Sequence, residues 1–364
     1  MKQIRLNTLQ LSSIIFIQIA GTGLLIVPGT VVLIAGIDGW ISIIISTLHA
    51  LLLGMIVFFL YKYFPNDTLI GIFEKVTGKI IGKLLGVGFV IYCLVSLSTV
   101  IKQGCSITLN IFLPESKPVN FYIAYFLIVV YILKMGITVL ARTNVLITIF
   151  LLISFLTIIL TAIPLLEIPL KPMMAEGMKP ILKGSLSPSS LMNQVILISM
   201  IFPLFPKEEK GNIKKVILYS LLLVGGLSTI LSVMTIGILG LETKDQYFPI
   251  YTIAKLIEID YFWRRLDVLI MFAWVGGVTL KISFWFYCTL LAIKQILNIE
   301  SYQPIVLPMT LLIFTLAFYA TNNSTELSYY LGRVYPLFSL LSYELLIPVL
   351  IFIIMLVRKG VSTR

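Results

Sequence analysis

Ten runs of roughly twenty apolar residues limit this chain's possible folds more than any other feature: 9–36, 39–61, 84–112, 119–138, 143–165, 188–206, 213–240, 266–297, 303–320 and 334–357. A helix needs about 20 apolar residues to cross a hydrocarbon core about 30 Å thick. A membrane β-strand would instead alternate over about ten residues, whereas Val145 to Leu160 is continuously apolar, so helices are the only consistent spanning element. The chain is therefore expected to be an all-α integral membrane protein of about ten transmembrane helices. With 59% of its 364 residues hydrophobic and 12% charged, a water-soluble fold could not bury its apolar surface. Lys2 and Arg5 precede the first run as in a signal peptide, but no small-residue cleavage pattern interrupts it, so it is expected to stay as a span.

Charge sets the expected orientation. With a cytoplasmic N-terminus, and with Lys134, Lys214, Lys215 and Lys294 at the inner ends of their spans counted as inner, sixteen Lys and Arg fall on inner segments, nine on outer segments and two in spans, against five, nine and two acidic residues. That is the positive-inside bias, and it places both termini in the cytoplasm. The net charge of +11 then lies on the inner face, where anionic headgroups attract it, with no need for a nucleic-acid partner. No polar segment is long enough for a second domain, so residues 1–364 form one membrane domain. No nucleophile elbow, phosphate-binding loop or paired carboxylates are visible, and no enzymatic activity, cofactor or metal is expected. Cys93, Cys105 and Cys288 all fall in spans, an odd and unspaced set read as packing residues. Two connecting stretches stand out. Leu69 to Lys83 has helical apolar spacing suited to the inner surface. Glu167 to Ser190 carries Pro169, Pro172, Pro180 and Pro188, which mark a loop that could be a lid or partner surface.

Five spans is an odd number, so a repeat over about 9–165 starting inside would be followed by one over about 188–357 starting outside. Such 5+5 inverted repeats are common in secondary transporters, whose sites lie where the first helix of each repeat is broken. Span 1 contains Gly21-Thr22-Gly23 and Pro28, and span 6 contains Ser199-Met200-Ile201-Phe202-Pro203. Glycines permit non-helical backbone and prolines remove donors, so breaks are expected in both spans, with freed peptide groups facing a ligand or ion.

Four ionisable side chains fall in spans: Lys102, Asp267, Lys281 and Glu344. Each costs about 2.5–3.5 kcal/mol at the bilayer centre and needs a partner or a task. Lys102 and Asp267 lie near helix ends and can reach the interface. Lys281, halfway along a long span, cannot. Either it bonds backbone near the span 1 break in place of a coupling cation, with the option of carrying a proton, or it forms a fixed ion pair with Glu344. His49, in mid-span, is read as an interhelical hydrogen-bonding group.

The residues also resemble a known family. Leu9-Gln10-Leu11 leading into Gly21-Thr22-Gly23-Leu24-Leu25 and Pro28, the segment Lys281-Ile282-Ser283, the loop Lys179 to Gly184, and Ser328-Tyr329-Tyr330-Leu331-Gly332-Arg333-Val334-Tyr335-Pro336 are similar to the B-subunit germination permeases of bacterial spore nutrient receptors, within the amino acid–polyamine–organocation transporter superfamily. The resemblance implies a leucine-transporter-type fold with broken helices 1 and 6, in the spore inner membrane. It implies a midplane pocket for a small nutrient such as an amino acid, involving Gly21, Thr22, Gly23, Ser199, Met200 and Phe202, with Ser98 and Lys281 to Phe284 on scaffold helices. Partners would be an A-type membrane subunit and a C-type lipoprotein, through which nutrient binding signals germination. The alternative reading is a stand-alone proton-coupled amino acid permease.

Overall fold

The computed structural model describes residues 5–112, 115–167, 174, 176–205, 210–246, 248–257, 266–321 and 324–362. The helices are α1 Thr8–Ala35, α2 Gly39–Tyr63, α3 Leu69–Thr77, α4 Lys79–Ile107, α5 Pro118–Met135, α6 Ile137–Ala162, α7 Met178–Gly184, α8 Leu186–Met192, α9 Lys210–Leu239, α10 Pro249–Leu256, α11 Leu266–Leu297, α12 Val306–Tyr319, α13 Ser324–Tyr329, α14 Tyr335–Ser339 and α15 Leu346–Ser362. Eight helical stretches among the described residues are long and apolar enough to cross a membrane. The first, Thr8–Tyr63, contains both α1 and α2, folded back at Gly36–Asp38, and a shorter apolar rod covers Gln303–Tyr319. Taken together these are the ten rods expected from the apolar runs.

The bundle is arranged around α1, which packs against α9, α11, α6 and α2. α1 is buried nearly all round, as a helix at the centre of a membrane bundle must be. α11 lies beside it, touching α4 and α6 as well. The contact between α1 and α11 is backbone to backbone. A methyl group at Gly21 would sit 2.8 Å from the carbonyl oxygen of Gly277, so a larger residue would force the helices apart.

That contact corrects the expectation for span 1. α1 stays helical from Thr8 to Ala35, with Gly21, Thr22 and Gly23 inside the helix. Glycine permits an irregular backbone without demanding one, and Gly21 serves close packing. The interruption that remains is chemical. Pro28 has no amide hydrogen and leaves the Leu24 carbonyl without its usual donor.

Span six, Met178–Leu204, is irregular over a longer stretch than expected. α7 and α8 are followed by a 3₁₀ helix over Asn193–Leu204. Runs of this kind beyond three or four residues are uncommon, and within a longer helix they mark hinges. The irregularity therefore begins at Asn193, ahead of Ser199. The stretch read as a proline-punctuated loop is also helical in its second part. Pro180 and Pro188 sit in the first turns of α7 and α8, where amide groups have no intrahelical partner to lose. Pro169 and Pro172 lie outside the described residues.

The connector between α2 and α4 is helical, as the apolar spacing suggests. α3 buries Leu69, Ile70, Ile72, Phe73 and Val76 and ends at Gly78, whose φ of 90° favours glycine. Span ten has two π-helical turns, Tyr330–Val334 and Leu340–Glu344, with Ser342 outside helical geometry at φ −118° and ψ −116°.

Candidate functional site

Lys281 projects from the middle of α11 and is fully buried. Its ammonium donates to Thr22 Oγ1 on α1 at 2.6 Å. Among the described residues it makes no ion pair within 4.0 Å, so Glu344 is a Coulombic neighbour and not a salt-bridge partner. Glu344 is buried as well. Its Oε1 accepts from Tyr92 OH at 2.6 Å, while Oε2 has no hydrogen-bond partner, though the Gln194 and Ser339 side chains face the carboxylate. The side-chain oxygens of Gln194 and Tyr335 are also buried without partners. Such groups are rare in folded proteins, and each calls for an explanation.

A cavity of about 30 Å³ lies against Lys281, walled by Thr22, Thr99, Gln103, Ser190, Gln194 and Tyr335. It has room for a water molecule or two. Ile26, Thr30, Gln103 and Leu331 line it and also line a vestibule of about 470 Å³, whose rim carries Lys244, Asp245, Gln246 and Arg333. That volume lies in the range of small-molecule sites, about 300–1,000 Å³. In the positive-inside orientation the vestibule faces outward.

The opposite end of the same segments is closed. The Leu6 amide donates to Leu204 O at 2.9 Å. Tyr61, Phe202 and Phe205 pack ring on ring, with centroids 5.3 to 5.6 Å apart.

Comparisons with known proteins agree with this architecture. Residues 5–326 match the family model described as "Spore germination protein". The chain belongs to the spore germination permease family. Spore germination protein KB of Bacillus subtilis is 27% identical over 367 residues, covering 99% of this chain and 96% of the relative. Spore germination protein YndE of the same organism is 26% identical, covering 80% and 81% of the two chains. Among solved structures, MhsT in complex with L-phenylalanine superimposes with a TM-score of 0.68 at 11% identity, covering 98% of this chain and 99% of that one. The germination permease thus has the leucine-transporter-type fold in an integral membrane chain.

Within this germination permease, the residues singled out from sequence fall into three places. Thr22 and Lys281 meet at the polar cavity, with Gly23 near the side chain of Leu191 and Gly21 against Gly277. Ser199, Met200, Phe202 and Phe284 are buried in the packed core and do not line the cavity or the vestibule. The Ser199 hydroxyl donates to Ile196 O at 2.5 Å, leaving it no free proton. Ser98 bonds Leu94 O at 2.8 Å and lines a separate lateral groove, while its neighbour Thr99 reaches the polar cavity. One residue along a helix is a rotation of about 100°, enough to change faces. The side chain of Asp267 lies outside the described residues. Lys102 donates to Phe318 O at 3.3 Å, and Asn193 Nδ2 approaches His49 Nδ1 at 3.5 Å, joining α2 to the start of the 3₁₀ segment.

Sequence reasoning missed Gln103, Gln194 and Thr99, and held Tyr335 only as part of the family-like segment Ser328 to Pro336. The signal available was the cost of an amide side chain in a span, since an unpaired amide loses several kcal/mol of hydration, on the order of 2–7.

Proposed function

We propose that this germination permease is the nutrient-sensing B-type subunit of a spore germinant receptor, and that an amino acid entering from the outward vestibule is its ligand. The observation that carries this reading is the buried Lys281 ammonium beneath a vestibule of about 470 Å³, with one of its three donors used on Thr22. A carboxylate suits the remaining donors. The unpartnered oxygens of Gln194 and Tyr335 on the cavity wall, with the Glu344 carboxylate facing Gln194 behind them, suit an ammonium group. A zwitterion satisfies both sides and leaves the site neutral. Because the cavity beside Lys281 holds only about 30 Å³, the ligand must widen it, and the 3₁₀ stretch of span six is the element placed to yield. Ligand binding then favours one conformation by its differential affinity, and the partner subunits read that conformation. The partners in this reading are an A-type membrane subunit and a C-type lipoprotein, in the spore inner membrane with both termini cytoplasmic.

The MhsT structure, with its bound amino acid, supports the ligand class by analogy of fold. The test is binding and uptake of a panel of radiolabelled L-amino acids by the purified chain in vesicles, with and without partner subunits. Saturable binding without net uptake is expected. Concentrative uptake by the isolated chain would overturn the receptor reading in favour of a stand-alone proton-coupled permease.

A further inference from the structure

A second opening lies on the lipid-facing side of the bundle, between α4, α12 and α13. It is a groove of about 390 Å³. It is lined by Ile91, Leu94, Val95, Ser98 and Thr99 of α4, Leu316 of α12 and Leu327 of α13, together with Ala320, Thr321 and Tyr330. The Thr321 hydroxyl is buried without a hydrogen-bond partner. One turn beyond Ser98 on the same face of α4 stands Lys102, whose ammonium reaches across to Phe318 O of α12 at 3.3 Å. That carbonyl leaves the positive charge uncompensated, and Lys102 makes no ion pair among the described residues.

Along the α4 side the groove runs from Ile91, Leu94 and Val95 through the hydroxyl of Ser98, with the Lys102 ammonium one turn beyond its lining. A phospholipid has the same order of chemistry along its length. An apolar partner helix is a poorer match, because it would leave the Lys102 ammonium beside it without a counter-charge, whereas a phosphate supplies one. We propose that the groove seats one acyl chain of an anionic phospholipid whose phosphate is held by Lys102 through a charge-assisted hydrogen bond. The site has a direct route to the nutrient pocket. Thr99 lines both the groove and the polar cavity, and Tyr330 in the groove is followed by Leu331 in the vestibule. Lipid occupancy therefore sets the position of the α4 wall against which a ligand binds. This coupling rests on the function proposed above, while lipid binding itself does not.

The test is native mass spectrometry of the full chain released from nanodiscs containing equal phosphatidylglycerol and phosphatidylcholine. Wild-type protein should retain phosphatidylglycerol adducts. Lys102→Gln should reduce them about tenfold, Lys102→Arg should keep them, and Lys134→Gln, an exposed control, should leave them unchanged. Val95→Trp, which fills the groove without touching the cation, should lower retention of both lipids. Should Val95→Trp fail to fold, Leu316→Phe serves in its place. Equal retention by wild type and Lys102→Gln would overturn the lipid site, as would protection of Leu316→Cys from labelling only when the partner subunits are present, which would assign the groove to a helix. Lipid retention without any amino acid binding would leave the site standing and count against the receptor reading alone.

Discussion

Toward Arg333, α1 faces a vestibule of about 470 Å³, and α1 and span six together line its polar floor. Toward Asn7 the Leu6 amide ahead of α1 bonds Leu204 O, and Tyr61 of α2 packs against Phe202 and Phe205. The first half opens to a cavity and a vestibule, and the second is held by backbone and ring contacts, with the Gln18 amide of α1 buried there without a hydrogen-bond partner. On the function proposed above, recognition falls to the first half and closure to the second. Substitutions in the two halves should therefore separate ligand affinity from stability.

The largest effect belongs to the closed half. Phe202→Ala should cost about 3–5 kcal/mol of stability, seen as a lower thermal midpoint in detergent, while the folded fraction keeps wild-type affinity for its amino acid. An affinity loss at unchanged stability would move the ligand into the closed half. Next comes Lys281→Met. Losing a charged hydrogen bond to the ligand is worth about 1.5–3 kcal/mol, a weakening of roughly ten- to a hundredfold in binding titrations.

Tyr92→Phe sharpens the boundary between the halves. It strips Glu344 Oε1 of its donor and should cost about 1–3 kcal/mol of stability, checked by the same thermal measurement. The smallest effects compare neighbours. Gln103→Ala should weaken binding several-fold, whereas Ser98→Ala and Ser199→Ala, whose hydroxyls bond their own helices, should change affinity by less than about 0.5 kcal/mol.

The fold was legible because bilayer thickness imposes a run length that the sequence cannot disguise. Lys281 was legible for a related reason, since a charge in mid-span stands out against its surroundings. Thr22 was found through the glycines beside it, although those glycines do not break the helix: Gly21 is needed against Gly277. The 3₁₀ winding of Asn193–Leu204 was legible at its far end, where Pro203 lies inside it, while its start at Asn193 carries no local mark. Gln103 and Gln194 were overlooked because an amide in a span also suits ordinary interhelical bonding. Ser98 was chosen over Thr99 because helix phase cannot be read from a run that is apolar on every side.

The most direct measurement is thiol labelling from the outer side of sealed vesicles, using a membrane-impermeant maleimide on single-cysteine variants Thr30→Cys and Ser199→Cys with Cys93, Cys105 and Cys288 replaced. Thr30→Cys should label and be protected by the bound amino acid, while Ser199→Cys stays unlabelled with or without it. Labelling and protection at Ser199→Cys, with Thr30→Cys indifferent to the amino acid, would contradict the outward polar site.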